Sequence, residues 1–371
     1  MNNLFDYLSW RGDLSFAADG FNDIDAVILS RLSYLPFDGI VSEDLHTTIT
    51  VSQAADRMFS GDAPAFLWEG DDRLMQELAL SDRFGDLQLS GYVNIVDDER
   101  QMQFSALLIT LDERTRFVSF RGTDNTLVGW QEDFNMFFTF PVASQPEALR
   151  YFEKAAGAFD GSFYLGGHSK GGNLAVYAAS FCGEDLQERI REIYSMDGPG
   201  FELEHILDSG FYRVIDRIHT YVPQSSIFGM LFEHEENYTV IQSGQKGFLQ
   251  HDVYSWAVER TRLVELEQTN GTSAFFDRTL TRFLAEMPME KRKEFTEELF
   301  ALLRSSDEVT FDEMAENPVR DAGRMFKSLA GLDSSKRSLL ISSVLRFIKA
   351  AGGTVTDMKI KENKSKRFRK T

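Results

Sequence analysis

A serine flanked by four glycines lies between a short apolar run and an amphipathic stretch, in FYLGGHSKGGNLAV at residues 163–176. The FYL run is typical of a strand, and NLAVYAASF has helical spacing with a small alanine face. A tight strand-to-helix turn forces its central serine into a strained backbone, and side chains two positions away would collide with neighbouring backbone. Gly167 and Gly171 avoid that collision, so the pattern predicts that the Ser169 hydroxyl is raised above a sheet. A glycine-rich loop packed closely on a neighbour is the alternative interpretation.

The apolar periodicity around this turn predicts an α/β protein. Residues 91–120 alternate between apolar and polar side chains and contain two polar turns, which indicates consecutive antiparallel strands. From there to about residue 258, short apolar runs alternate with helical stretches, as in strands joined by crossover helices. The first ninety residues are mainly helical and are expected to pack on the sheet.

Helical spacing returns after residue 260, for example in KRKEFTEELFALLR. We therefore expect an α/β domain at 1–260 with a helical segment at about 1–90, then a helical region at 261–352. Residues 353–371 are expected to form a basic, disordered tail.

The composition limits the classes of partner and cofactor. The chain has 371 residues, 43% of them hydrophobic, which is enough for a sizeable core in one large or two ordinary domains. With 39 Lys and Arg against 58 Asp and Glu, the net charge is -19, which repels polyanions, so no nucleic acid partner is expected. The single cysteine, Cys182, excludes an internal disulfide, and the six histidines lack HExxH spacing, so no metal or other cofactor is predicted.

The ends of the sequence bear on location. The N-terminal residues show no secretory pattern, and no uncharged apolar run reaches the ~18–20 residues that span a bilayer. We therefore expect a cytoplasmic protein. Residues 359–370, KIKENKSKRFRK, are expected to be solvated. Peripheral contact with an anionic membrane surface, or with nucleic acid, is the alternative interpretation.

A nucleophilic serine needs a base that takes its proton and donors that stabilise an oxyanion. The amide of Lys170, at the start of the following helix, is expected to be one donor. The second donor is expected after an earlier strand, where FVSFRGTDNTLVGWQEDF places Gly122 and Thr123. Thr123 offers both its amide and its hydroxyl. The side chain of Lys170 has two interpretations, a cation near the mouth of the site or a solvent-facing helix residue.

Two sets of motifs resemble known families. FRGT at 120–123, followed by Trp130 and Asp133 and then by GHSKGG, resembles the fungal-type class 3 lipases of the α/β-hydrolase group over about residues 85–260. WRGDLSF, GHSKGGNLAVYAA, DGPGF and QHDVYSW together resemble a family of uncharacterised bacterial lipase-like proteins over most of the chain.

These resemblances imply an α/β-hydrolase fold with a mainly parallel central sheet, and a serine hydrolase that acts on a lipid-like acyl ester. A noncatalytic hydrolase-like binding module is the alternative function. The aromatic stretch FNMFFTFPV, residues 134–142, has two open interpretations, an acyl pocket or lid and a buried core segment.

The order Ser, acid, His that is usual in this fold restricts the base to a histidine after Ser169. His205 lies in the helical pattern FELEHIL and His219 in the strand pattern RIHTYV, so both are interpreted as structural. In class 3 lipases a noncatalytic histidine commonly follows a Val-Pro, where this chain has His234. The resemblance then implies His251, in GFLQHDVYSW, as the triad base, with His234 as the substitute.

The acid is where the chain departs from the lipase pattern. Those enzymes carry an aspartate two residues before the Val-Pro, whereas Thr220 and Tyr221 precede it here. Asp197 closes the strand pattern REIYSM and is the expected triad acid, although Asp before Gly-Pro is also a common turn opener. Asp216 and Asp252 are weaker candidates. The predicted catalytic set is therefore Ser169, Asp197 and His251, with the Thr123 and Lys170 amides as the oxyanion hole.

Overall fold

The structure is a computed structural model. It describes residues 1–61, 64–269, 286–305 and 327–346, together with the shorter pieces 279, 282–283, 324 and 349–350. The predicted tail at 353–371 lies outside the described residues. The chain divides into two compact units, one made of Met1–Asp124 and Pro141–Thr269 and the other of Asn125–Phe140 and Asn270–Thr371.

The first unit is built on a nine-stranded mixed sheet. The strands of this unit are β1 (Ile49–Thr50), β2 (Gln88–Asp97), β3 (Met102–Thr110), β4 (Thr115–Phe120), β5 (Ser162–His168), β6 (Ile190–Met196), β7 (Ile218–Pro223), β8 (Tyr238–Ile241), β9 (Val258–Glu259), β10 (Arg262–Leu263) and β11 (Glu265–Leu266). The order in the large sheet is β1-β2-β3-β4-β5-β6-β7-β8-β11, and β9 and β10 pair separately.

The central part of the large sheet is parallel and its sides are antiparallel. Strands β4 to β8 pair in parallel with one another. Strands β1 to β4 pair antiparallel on one side, and β11 joins β8 antiparallel on the other. The α/β class is therefore confirmed, and the sheet is mixed, with the expected parallel arrangement limited to its centre.

The helices connect and cover these strands. They are α1 (Leu4–Arg11), α2 (Asp23–Leu32), α3 (Val51–Met58), α4 (Asp71–Ala79), α5 (Leu127–Asn135), α6 (Ser144–Ala158), α7 (Lys170–Phe181), α8 (Glu184–Gln187), α9 (Leu203–Ile206), α10 (Phe211–Val214) and α11 (Met289–Arg304). Short 3-10 turns lie at Ile215–Arg217, Phe228–Met230, Gly247–His251 and Val253–Ser255.

Two helices cover opposite faces of the central strands. Successive strand residues point to opposite faces of a sheet. A Cβ added to Gly166 would lie 2.9 Å from Ser30 Oγ in α2, whereas one added to Gly167 would collide with the backbone of Gly171 in α7. Helix α2 therefore covers one face of β5, and α7 covers the other.

The N-terminal helices share one core with the sheet. Buried side chains of α1 to α4, such as Leu29 and Leu74, form a single apolar cluster with sheet residues such as Phe117 and Met196. The helices of the N-terminal segment therefore pack on the sheet.

The second unit contains α5 and α11, which contact each other. The rings of Phe134 and Phe300 lie 5.5 Å apart in an edge-to-face contact, and Arg292 Nη1 donates to the Phe137 carbonyl at 3.0 Å. Helix α11 coincides with the helical pattern predicted at KRKEFTEELFALLR. In the described part of the chain, no helix is both long and apolar enough to cross a membrane.

Candidate active site

Ser169 occupies a strained turn between β5 and α7. Its backbone has φ 58 and ψ -133, a conformation that non-glycine residues rarely adopt. A Cβ added to Gly167 would collide with Gly171, and one added to Gly171 would collide with the Phe120 carbonyl. The glycines are therefore needed because three backbone segments approach closely at this turn, as the sequence pattern predicts.

The ends of three parallel strands place Ser169 and Asp197 at the same edge of the sheet. The Ser169 amide donates to the Met196 carbonyl at 2.8 Å, and the Asp197 amide donates to the Tyr221 carbonyl at 2.8 Å. Ser169 follows the last residue of β5, and Asp197 follows the last residue of β6. The two positions lie side by side because His168 pairs in register with Met196, and Met196 with Tyr221. Asp197 also has a positive φ, 52, which turns its side chain out of the strand path.

The structure brings Asp197 and His251 together. His251 Nδ1 lies 2.6 Å from Asp197 Oδ2, and the side chains are 11% and 1% exposed. Asp197 Oδ1 accepts hydrogen bonds from the Ser226 hydroxyl and, at 3.2 Å, from the Gly229 amide. The carboxylate is thus buried but satisfied on both oxygens, which is the condition for keeping a charge in the interior.

His251 ends a short 3-10 turn that its neighbours hold in place. Gln250 Oε1 accepts from the Ser225 amide at 2.7 Å, and the Gln250 carbonyl accepts from Trp256 Nε1 at 2.8 Å. The Tyr254 hydroxyl donates to Asp71 Oδ1 at 2.6 Å. The loop that carries His251 is therefore attached both to the end of β7 and to α4.

His251 also lies beside the residue that precedes Ser169. The His168 and His251 rings are 4.3 Å apart, and His168 Nε2 lies 2.8 Å from the His251 carbonyl. Within the described part of the chain, the Ser169 hydroxyl and His251 Nε2 make no hydrogen bond to each other. Such contacts are often long without substrate and tighten only in the reacting complex.

Gly122, next to Thr123, lies against the serine turn. A Cβ added to Gly122 would lie 2.9 Å from Ser169 Cβ, which brings the end of β4 close to the serine. Thr123 follows this glycine and is half-buried, and Lys170 is the first residue of α7. Of the two predicted oxyanion residues, Lys170 directly follows Ser169, and Thr123 follows the glycine that lies against it.

The two interpretations of the Lys170 side chain are both wrong. The side chain is 2% exposed, and its ammonium donates to the Gln103 carbonyl in β3 at 3.1 Å. It lies neither at a mouth nor in solvent, because α7 begins over the inner strands of the sheet.

His234 is engaged at both ring nitrogens. Nδ1 lies 2.8 Å from Glu236 Oε1, and Nε2 lies 2.7 Å from the Gly229 carbonyl. Burial lowers the pKa of His234, but the hydrogen bonds and the charge of Glu236 outweigh burial and raise it above the ordinary value. The imidazole therefore favours its charged form and does not contact Asp197 through a ring nitrogen.

The other histidines lie in other contacts. His219, in β7, pairs with Glu192 at 2.8 Å and stacks on Tyr194. His205 lies in the four-residue helix α9, 3.9 Å from Glu204. Among the described residues, Glu202, Glu204 and His205 form a group that is able to hold a metal ion, and it is partly exposed.

Neither of the weaker acid candidates forms a hydrogen bond with the His251 ring. Asp216 is exposed in the turn before β7, at the opposite end of that strand from Asp197. Asp252 accepts from the Tyr254 amide at 3.0 Å, and burial raises its pKa. Thr220, where the lipase pattern has its acid, donates instead to buried Glu236 at 2.7 Å.

Sequence reasoning missed several polar residues around the site. Ser226 and Gly229 bind Asp197, Glu236 binds His234, and Tyr34 contacts His168. His168 stands inside the glycine-flanked motif itself, so its position was a usable signal. Tyr34 gave none, because nothing local in SYLPF marks a contact with a residue so distant along the chain.

Comparison with known proteins gives one family and three matching chains among solved structures. The Mbeg1-like family model matches residues 78–301. The structure is similar to a Rhizomucor miehei lipase propeptide complex in a deletion-mutant form, with 15% identity, a TM-score of 0.32 and coverage of 59% of this chain and 66% of that one. The native form of that complex gives 16% identity, a TM-score of 0.32, and coverage of 58% and 67%.

This chain thus spans about two thirds of the length of those solved chains. No curated protein matches the sequence. The family match extends over more than half of the residues and includes the serine turn, Asp197 and His251. The chain belongs to the Mbeg1-like family.

Proposed function

We propose that this protein is a serine hydrolase that cleaves an acyl ester through Ser169, His251 and Asp197. The observation that carries the proposal is the pair of His251 and Asp197 at 2.6 Å, beside a serine held in a strained strand-to-helix turn. Nucleophile, base and orienting acid follow the chain order of α/β-hydrolases. We accordingly propose that the first unit is an α/β-hydrolase fold of the class 3 lipase type.

The proposed reaction is acyl transfer in two halves. Ser169 Oγ attacks the ester carbonyl carbon while His251 Nε2 takes its proton, and Asp197 stabilises the imidazolium that forms. The amides of Thr123 and Lys170 hold the oxyanion. The C–O bond then breaks, and the leaving alcohol takes the proton from His251.

Water completes the reaction. His251 removes a proton from a water molecule, which attacks the acyl carbon of the serine ester. The carboxylic acid leaves, and Ser169 Oγ recovers the proton from His251. The free enzyme is thereby restored without any group beyond water.

The proposed substrate class is a lipid-like acyl ester. Membership of the Mbeg1-like family, a lipase-like family, supports it, as does the resemblance of FRGT and GHSKGG to lipases. The net charge of -19 also favours a neutral substrate over an anionic one.

Hydrolysis of p-nitrophenyl butyrate tests the proposal. Ser169→Ala should lose turnover by at least about 10³-fold, as loss of a triad nucleophile does. Ser180→Ala is the matched control, because it removes a buried serine hydroxyl from the helix that follows Ser169, where that hydroxyl donates to the Val176 carbonyl at 2.7 Å. Equal turnover in wild type and Ser169→Ala would remove Ser169 as the nucleophile, and a wild type with no turnover above background would favour a noncatalytic binding module.

A further inference from the structure

A chain of hydrogen bonds runs through the residue that precedes Ser169. The Tyr34 hydroxyl lies 3.1 Å from His168 Nδ1, and the Gly122 amide donates to the same hydroxyl oxygen at 3.1 Å. His168 Nε2 lies 2.8 Å from the His251 carbonyl. Tyr34 and His168 are each only 2% exposed. One buried imidazole therefore links the loop of His251 to the segment that leads to Thr123.

The direction of each bond follows from elementary chemistry. A carbonyl only accepts, so His168 Nε2 carries the hydrogen in its contact with His251. Burial, together with the charges of His251 and Arg31, holds the pKa of His168 well below its usual value, so the ring is neutral. Its Nδ1 is then an acceptor, and the Tyr34 hydroxyl, which accepts from the Gly122 amide, shares its one hydrogen between His168 Nδ1 and the His168 carbonyl, each at 3.1 Å.

The N-terminal helices hold Tyr34 in this place. The Arg31 guanidinium lies over the Tyr34 ring, 4.1 Å from its centre. Arg31 is itself fixed by two hydrogen bonds of 2.8 Å to Asp71, which also accepts from Tyr254 in the loop after His251. The Tyr34 ring therefore packs against a buried ion pair, which restricts its side-chain conformation.

We propose that His168 and Tyr34 are positioning residues, which hold the loop of His251 and the segment of Gly122 and Thr123 in fixed positions relative to Ser169. The role rests on the proposed function. Any buried imidazole needs hydrogen-bond partners at both nitrogens, so what distinguishes His168 is which segments supply them. Here Nε2 binds the loop of His251 directly, and Nδ1 reaches the segment of Gly122 and Thr123 through the Tyr34 hydroxyl. The positions of these two segments relative to Ser169 decide whether proton transfer and oxyanion binding occur together.

Two substitutions of His168 separate its bond to Tyr34 from its bond to the His251 carbonyl. Asparagine at position 168 places an amide oxygen near Nδ1 and keeps the Tyr34 bond, but it loses the donor to His251. Glutamine reaches the position of Nε2, keeps the donor to His251 and loses the side-chain acceptor for Tyr34, whose hydroxyl keeps the backbone carbonyl of residue 168. Tyr34→Phe removes the Tyr34 hydroxyl alone.

We expect His168→Asn, His168→Gln and Tyr34→Phe each to lower kcat for p-nitrophenyl butyrate about 10-fold, with KM changed less than about 3-fold, because each removes a buried hydrogen bond that links these segments. The double variant Tyr34→Phe with His168→Gln should have the same kcat as Tyr34→Phe alone, since both changes break the bond between Tyr34 and the His168 ring. In the double variant Tyr34→Phe with His168→Asn, kcat should fall about 100-fold, since one change breaks the bond to Tyr34 and the other the bond to the His251 carbonyl.

His219→Gln is the control, because it changes a histidine that contacts Glu192 and lies outside this chain of bonds. It should leave kcat unchanged. A purely structural role would lower melting temperatures without this pattern of coupling. Tyr34→Phe keeps the proposal testable even where the His168 variants do not fold.

The outcomes also separate this proposal from the proposed function. Wild-type kcat in both Tyr34→Phe and His168→Asn, with an active wild type that Ser169→Ala inactivates, overturns the positioning role alone. A wild type that shows no serine-dependent turnover overturns both. The 10-fold losses together with the predicted coupling support the positioning role.

Discussion

Asp197 makes contacts that a turn-opening aspartate does not make. A turn aspartate binds its own backbone two residues on. Asp197 instead binds Ser226, Gly229 and His251, all from later segments, and is buried. Its side chain is therefore fixed by tertiary contacts, which is how an orienting carboxylate must be held.

Asp197→Asn should lower turnover by about 10⁴-fold, because an amide favours the wrong tautomer of His251, as the comparable change does in serine proteases. Steady-state kinetics on p-nitrophenyl butyrate measures the loss. Asp252→Asn is the matched control: it alters the next acidic residue to His251, whose carboxylate caps the Tyr254 amide. Near-normal turnover in Asp197→Asn would remove Asp197 from the triad.

The two candidate histidines should differ in what they disturb. His251→Ala should lower turnover by several orders of magnitude, whereas His234→Gln should mainly lower stability. The reason is that His234 is bound at both nitrogens by Glu236 and Gly229. Kinetics and thermal melting of both variants test this, and the reverse pattern would transfer the base role to His234.

The stability given by His234 should depend on pH. The folded state raises its pKa, so its contribution is complete below about pH 6.5 and is lost as pH rises through the folded value. Glu236 has a lowered pKa, so its contribution is lost as pH falls through a value below about 4.5.

The melting-temperature difference between wild type and His234→Gln should therefore be largest at about pH 5–6 and smaller at about pH 9. A series of thermal melts across that range measures it. A difference that grew towards alkaline pH would contradict the charged state assigned to His234.

At the residue scale, the sequence could indicate the candidate site residues, because their side-chain chemistry and their order along the chain are both visible in it. Ser169 and Asp197 follow strand patterns, and parallel strands end at one edge of a sheet, so their proximity was predictable. The partners of Lys170 and His168 were not, because Gln103, Tyr34 and the His251 carbonyl come from distant segments and no local pattern encodes them.

At the element scale, the turn around Ser169 depends on the space between β4, β5 and α7. Gly171→Ala should lower the free energy of unfolding by about 1–3 kcal/mol or more, because its Cβ would meet the Phe120 carbonyl. Gly157→Ala, on the exposed side of α6 with nothing near its Cβ, should raise it by about 0.5–1 kcal/mol.

Urea unfolding of both variants measures these changes. Their opposite signs are the decisive feature, because both replace a helical glycine by alanine and helix propensity alone would stabilise both. A Gly171→Ala variant as stable as Gly157→Ala would contradict the close approach at this turn.

The strands that position the site were largely predictable. The alternation at 91–120 predicted antiparallel strands, and β2, β3 and β4 are antiparallel. The runs FYL, EIYSM and IHTYV lie in β5, β6 and β7. The two-residue strands β1 and β11 were not predictable, because two residues are too few to show a period and their pairing depends on neighbours already in the sheet.

At the scale of the whole molecule, residues 125–140 belong to the second unit although both flanking segments belong to the first. The composition of the segment does not predict this, because FNMFFTFPV is apolar enough to pack in the core of either unit. Contacts such as Phe134 with Phe300 join residues far apart in sequence, and periodicity within one segment does not report them.

The net charge of -19 gives a prediction for the molecule as a whole. At about 0.01 M ionic strength charges act over about 30 Å, and at about 1 M over about 3 Å. An anionic p-nitrophenyl ester should therefore show kcat/KM that rises with salt, whereas the neutral butyrate should change less than about 2-fold. A kcat/KM that falls with salt for the anionic ester would contradict repulsion by the overall charge.

The central claim is that Ser169 is an activated nucleophile, and covalent labelling tests it most directly. A fluorophosphonate probe reacts with a serine only where a base and an oxyanion site activate it. Wild type and Ser180→Ala should be labelled in the peptide that contains Ser169, and Ser169→Ala should not be labelled, as measured by mass spectrometry. An unlabelled wild type, or equal labelling of Ser169→Ala, would contradict the account.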